Sequence, residues 1–219
     1  PVFAGETKPV FYVANRAHHA DIGGISPGSM PLATSIFQEG LIIPPVKIVS
    51  GGRINDDLLS LILANVRTPA ERKGDFNAQF MANQTGIRRL NELAERYGKN
   101  QAAAYGGHLI DYAEALVRKR LYEIPDGRYS FADVMEDDGW SNENIRIRAV
   151  IEINGDSAVI DLTDCAAQVA GNINAVKAVT WSAVLYVFRC LIAEDIPANA
   201  GCLAPLEIRT QNGTIVDAR

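Results

Sequence analysis

From Asn55 to Tyr122 the sequence is patterned as helix, and this block decides what the chain can fold into. Asn55 or Asp56 can cap a first helix carrying Leu58, Leu59, Leu61, Ile62 and Val66, which stops near Pro69. Pro69 to Tyr97 reads as a long amphipathic helix with Phe76, Phe80, Ile87, Leu90 and Leu93 on its apolar side. Gly98 is its C-cap. A further helix, Lys99 to Tyr122, carries Leu109, Tyr112, Ala113, Leu116 and Leu121, and Pro125 follows its end. A loop as short as Gly98 predicts an antiparallel helical hairpin.

Strand signals lie on either side. Residues 1–21 read as a β-hairpin turning through Gly5-Glu6-Thr7-Lys8, with Val10-Phe11-Tyr12-Val13-Ala14 as a buried strand. Leu41 to Val49 is extended, because Pro44-Pro45 excludes helix. After Gly127 the pattern returns to β. Arg128 to Phe131 opens a strand, Ile145 to Ile153 alternates apolar and polar with Val150 the exception, and Asn154-Gly155-Asp156 turns into Ala158–Leu162. An apolar helix from about Ala175 to Ala193, buried on most sides, ends at Asp195-Ile196-Pro197, and Leu206–Arg209 is a last strand. The expected architecture is α+β, with mixed β-sheets at both ends around a long helical hairpin and a buried C-terminal helix. The expected regions are 1–54, 55–124 and 125–219. Pro1-Val2-Phe3 and Thr214-Ile215-Val216 read as strand cut at the chain's ends, which predicts a piece of a longer polypeptide.

Composition narrows the function classes. A net charge of −5 lacks the basic excess that a nucleic-acid surface needs. No apolar run reaches membrane-spanning length. The 3 cysteines, Cys165, Cys190 and Cys202, have no CxxC spacing and read as reduced, mostly packed thiols of a cytoplasmic protein. No phosphate-binding loop or GxSxG elbow is present, so any ATP chemistry resides elsewhere.

The chemistry concentrates in Ala14-Asn15-Arg16-Ala17-His18-His19-Ala20-Asp21-Ile22-Gly23-Gly24, which holds two of the chain's 3 histidines. On an extended backbone His18 and His19 point to opposite faces and His19 shares a face with Asp21; on a helical turn His18 and Asp21 share a side. Either way two side chains converge, whereas a catalytic zinc-type site takes three protein ligands and an open position. The segment is half a metal or proton-transfer site, or else a histidine pair satisfied by backbone carbonyls with Asp21 capping a turn. His108 is either a third ligand or a helix-surface histidine. Gly74 and Gly86, inside a helix, predict close packing or a backbone approached by another segment. Between them Asp75, Asn77, Gln79, Asn83 and Gln84 read first as a solvated helix face and second as a ligand contact. Glu136-Asp137-Asp138 reads as a solvated acidic loop before it reads as a cation site.

Several motifs, in order, resemble the hydantoinase B/oxoprolinase family. They are the stretch from Ala14 to Gly24, Pro27-Gly28-Ser29-Met30-Pro31, Gln38-Glu39-Gly40 with Ile43-Pro44-Pro45-Val46-Lys47, Gly74-Asp75-Phe76-Asn77-Ala78-Gln79, Arg89-Leu90 with Tyr97-Gly98, and Asp195-Ile196-Pro197 with Asn199-Ala200-Gly201-Cys202. The resemblance implies a B-type subunit that opens a cyclic amide, of hydantoin or 5-oxoproline type, after an A-type partner has used ATP to phosphorylate the carbonyl oxygen. It implies a divalent metal, Zn or Mn, with His18 as the ligand from this segment and the others from a His-x-x-Asp stretch expected before Pro1. His19 and Asp21 are then the catalytic candidates, by orientation or proton transfer. Related readings are a ketone carboxylase subunit and a non-catalytic scaffold that docks the ATP-using partner. A cytoplasmic hetero-oligomer is expected.

Overall fold

The computed structural model describes residues 1–28, 31–141, 143–192 and 196–219. Ser29 and Met30 of the second motif, and Ala193 and Asp195 at the predicted helix end, lie outside the described residues. The fold is α+β and divides into two compact units, Pro1–Ala103 and Ala104–Arg219.

The first unit is irregular chain around helices. It holds a single-turn helix α1 (Ile36–Glu39), the short antiparallel pair β1 (Val49–Ser50) and β2 (Arg53–Ile54), then α2 (Asp56–Leu63) and α3 (Pro69–Tyr97). Asn55 caps α2 by accepting from the Leu58 N–H at 3.0 Å, and Pro69 opens α3, where a missing N–H costs nothing. Gly98 closes α3: its N–H donates to the Ala94 carbonyl at 2.9 Å and its φ is +83°.

The predicted N-terminal hairpin is reduced to one bridge, Val2 to Phe11, and Val10–Ala14 forms no strand. Tyr12 is 75% exposed. β-propensity records side chains that suit a half-buried surface, and the surface that takes up this segment is the face of a helix.

The second unit carries most of the buried apolar side chains. It receives all but the first turn of α4 (Lys99–Tyr122), followed by β3 (Gly127–Met135), β4 (Ile145–Asn154), β5 (Ser157–Asp161), α5 (Lys177–Leu191), a 3-10 turn at Ala200–Leu203 and β6 (Leu206–Arg209). The sheet order is β3-β4-β5-β6, antiparallel except for the parallel β5–β6 pair, which the α5 connection joins. Ala113, Val117 and Leu121 of α4 and Val184 and Phe188 of α5, each at four-residue spacing, join Ile145, Ile153, Ala158 and Ile160 in one core. α5 is buried along that stripe alone: Tyr186 and Val187 on its other sides are exposed, so the expectation of burial on most sides fails. Thr214–Val216 is buried but makes only bridges, so it is no strand. All three cysteines are free, Cys202 buried, Cys165 half-buried and Cys190 exposed.

The acidic loop is not simply solvated. Asp138 is buried and accepts from the Ser141 and Trp140 N–H groups at 2.7 and 2.9 Å, and from the Gly171 N–H at 3.2 Å. These donors, led by Ser141 and Trp140, hold its carboxyl at a pKa of about 2 against the burial that opposes them. A carboxylate depressed on folding stabilises the fold above its ordinary pKa of 3.8 and loses that contribution as pH falls toward about 2. The expected outcome is that wild type exceeds Asp138→Asn in stability at pH 5 and that the gap closes by pH 2, as read from urea unfolding at each pH.

Candidate functional site

The residues from Tyr12 to His19 have no regular structure of their own; they lie along α3. The α3 positions that receive them are Asp75, Gln79, Asn83 and Gly86, at spacings that put them on one side of a helix. At one end Val13 occupies the space over Gly86, where an added Cβ would lie 2.7 Å from the Val13 Cγ1. In the middle Asn15 donates through Nδ2 to the Gln79 backbone carbonyl at 2.9 Å and to Asn83 Oδ1 at 2.8 Å, and accepts from Gln79 Nε2 at 2.8 Å. At the other end the His19 ring tilts against Phe76, with centroids 4.7 Å apart, and its Nε2 meets Gln79 Oε1 at 3.0 Å.

His19 is therefore turned inward. Its Nδ1 is buried without a hydrogen bond, 3.9 Å from Asp75 Oδ2. Asp75 is held from behind by Arg72, 3.0 Å away, which is itself only 5% exposed. His18 faces outward, exposed, into a cleft of about 290 Å³ lined by Asn15, Arg16, His18, His19, Asp75 and Gln79 among others. The two adjacent histidines thus share one cleft but not one environment.

Asp21 is elsewhere. It is 4% exposed and accepts from the Gly23 N–H at 3.0 Å, from the Arg67 N–H and from Arg67 Nη1 at 2.9 Å. Hydrogen bonding from the Arg67 amide, ahead of the opposing burial and of the Arg67 charge, lowers its pKa below the ordinary carboxylate range. In this position it caps the turn into Gly23-Gly24, where both φ angles are positive. At Gly24 a Cβ would come within 2.5 Å of the Gln38 carbonyl oxygen. His108 is exposed on α4 with its ring edge-on to Tyr105, 5.8 Å between centroids.

Three members of the polar set on α3, Asp75, Gln79 and Asn83, hold the histidine segment instead of forming only a solvated face. Gly86 is approached as predicted, whereas nothing lies within 4 Å of a Cβ at Gly74. Arg67 and Arg72 carry no sequence signal for their parts here, and Phe76, on the apolar side of α3, packs against His19. The four-residue spacing from Asp75 through Gln79 to Asn83 was the available signal.

The metal that the resemblance implies finds an incomplete set here. Among the described residues no three or more His, Cys, Asp or Glu side chains are grouped to hold an ion. His18 offers one open imidazole, while the Nε2 of His19 is committed to Gln79. Taken alone, these residues do not fit a metal site.

The sequence model of the hydantoinase B/oxoprolinase family matches residues 1–219. The chain is 36% identical to 5-oxoprolinase 1 of Arabidopsis thaliana over 239 residues, covering 99% of this chain and 19% of that protein. It is 42% identical to the caprolactamase subunit beta of Pseudomonas jessenii over 159 residues, covering 69% of this chain and 27% of that subunit. The crystal structure of the ATP-dependent caprolactamase from Pseudomonas jessenii superposes with a TM-score of 0.83 at 35% identity, over 92% of this chain and 35% of that one. Nucleotide-free acetone carboxylase superposes with a TM-score of 0.84 at 16% identity, over 92% of this chain and 28% of that one, a likeness of fold alone. The chain spans between 17% and 38% of the length of the first four curated relatives.

Gly86 separates helix stability from docking of the segment. Gly86→Ala gains about 1 kcal/mol of intrinsic helix propensity, but its methyl displaces the stiff Val13 side chain. The expected result is an unchanged or raised melting temperature, together with faster amide hydrogen exchange in residues 12–19.

Proposed function

We propose that this chain, which belongs to the hydantoinase B/oxoprolinase family, is part of an enzyme hydrolysing a cyclic amide after ATP-dependent activation. The observation that carries this reading is the presentation of His18. Within the motif that carries the family resemblance, it is the histidine left open to a cleft while its neighbour is tied down. The names of the relatives at 36% and 42% identity, 5-oxoprolinase 1 and caprolactamase subunit beta, favour amide hydrolysis over ketone carboxylation.

The chemistry requires activation because an amide carbonyl is a poor electrophile. Phosphorylation of its oxygen makes the carbon attackable: water adds there, the C–N bond breaks as the ring nitrogen takes a proton and leaves as the amine, and the acyl phosphate so formed is hydrolysed to the carboxylate and inorganic phosphate. The phosphorylation is assigned to an A-type partner in a hetero-oligomer, a reading that the name of the relative caprolactamase subunit beta supports. If a divalent metal takes part, His18 would offer it one imidazole, other ligands would have to come from outside the described residues, and the metal would supply polarisation of water. His19 and Asp21 take orienting roles in this reading. Both ring nitrogens of His19 face protein, and the Asp21 carboxylate is engaged by Arg67 and Gly23. The cleft's volume of about 290 Å³ suits a small ring.

The test is His18→Ala in the full-length protein assayed with its ATP-using partner. Turnover of a cyclic amide is expected to fall by about 100-fold or more, with bound metal lost and the circular dichroism spectrum kept. Full turnover and full metal content in that variant would overturn the assignment. Activity kept after removal of both His18 and His19 would favour a docking role for the chain.

A further inference from the structure

The hydrogen bonds on the α3 stripe have a direction, and a backbone group fixes it at one end. The Gln79 carbonyl oxygen can only accept, so the Asn15 atom 2.9 Å from it is the amide nitrogen Nδ2. The other terminal atom of Asn15 is then Oδ1, which can only accept. The Gln79 side-chain atom 2.8 Å from it must therefore be the donor Nε2. That leaves Gln79 Oε1, an obligate acceptor, 3.0 Å from His19 Nε2. The proton of the imidazole must sit on Nε2. The remaining Asn15 proton goes to Asn83 Oδ1 at 2.8 Å, so both Asn15 protons are used and no donor meets a donor.

We propose that Gln79 is the positioning residue of this site. Its side chain selects the Nε2–H tautomer of His19, fixes the plane of that ring, and thereby sets how the neighbouring His18 meets the cleft. The last clause rests on the proposed role of His18; the selection of the tautomer does not. Glutamine suits the task because one planar group supplies an acceptor to His19 and a donor to Asn15, while the same residue's backbone carbonyl holds the other side of Asn15. Phe76 limits the ring from its face. On the far edge Nδ1 meets no hydrogen-bonding partner among the described residues, with Asp75 at 3.9 Å and Arg72 behind it. Among these residues Gln79 is therefore the hydrogen-bonding partner that determines where the proton lies.

The experiment is nitrogen-15 spectroscopy of ring-labelled histidine in the full-length protein, with the His19 signals identified by their loss in His19→Gln. Wild type is expected to show a protonated Nε2 and a bare Nδ1. Gln79→Met keeps the length of the side chain without donor or acceptor; it is expected to give mixed tautomers and a drop of several-fold in turnover with the partner. Gln79→Glu keeps the acceptor toward His19 and is expected to restore the protonated Nε2. A bare Nε2 in wild type, or an unmixed Nε2–H signal in a folded Gln79→Met protein, overturns the proposal. If Gln79→Met does not fold, the wild-type spectrum still decides. Mixed tautomers with unchanged turnover support the selection by Gln79 and overturn the clause that the held ring sets how His18 meets the cleft; the His18→Ala variant decides the role of His18 separately.

Discussion

The bond from the Asn15 side chain to the backbone carbonyl of Gln79 converts an irregular stretch of chain into a defined surface. Residues 12–19 have no ladder to pair with, and ordering each of them costs about 1–2 kcal/mol of backbone entropy. One contact cannot offset that. The segment is instead met at successive turns of α3: by Gly86 beneath Val13, by Asn83 and Gln79 around Asn15, and by Gln79, Phe76 and Asp75 around His19. A helix offers such contacts about every 5.4 Å along its axis, so a chain running beside it can be gripped repeatedly without forming any element of its own.

Buried polar anchors organise the loops of both units. In the first, Asp21 gathers Gly23 and Arg67 around one carboxylate, and two left-handed glycines let the chain turn tightly behind it. In the second, Asp138 gathers Trp140, Ser141 and Gly171, and a Cβ at Gly171 would collide with the Asp138 carbonyl oxygen at 2.2 Å. A carboxylate that accepts several backbone N–H groups is satisfied without a metal ion, and its lowered pKa extends its charged form to more acidic pH. Both aspartates stand in runs that sequence alone marks as candidate chemistry. Backbone amides, which no sequence pattern displays, claim both.

What the sequence made legible was whatever repeats. The helices α2 to α5 and the hairpin of β4 and β5 follow apolar periods of 3.6 and 2, and their ends carry caps or turns with a mechanism: Asn55, Pro69, Gly98, Asn154-Gly155. Val10–Ala14 was misread because its composition suits a strand, while the decisive partner was a helical stripe some seventy residues on. That stripe was visible as polar spacing on α3, and Gly86 was recognised as a point of approach. Nothing in either pattern says which segment approaches. Pairing between two polar patterns is a tertiary fact, carried by Asn15 and Gln79 together and by neither alone.

The doubled histidine follows from the same constraint. From His18 to Asp21 exposure alternates residue by residue, so the imidazole fixed inside has a neighbour in solvent. His19 and Asp21 both turn inward, one to α3 and the other to Arg67, while His18 and Ala20 between and beside them are exposed. The inward pair does not meet as a catalytic dyad. It works as two pins on either side of one residue, holding the backbone in the alternation that presents His18. A single histidine at this position would need its ring held by the same contacts that its chemistry has to leave free. On the role proposed for His18, two adjacent ones separate those demands: His19 is held, and His18 is left free.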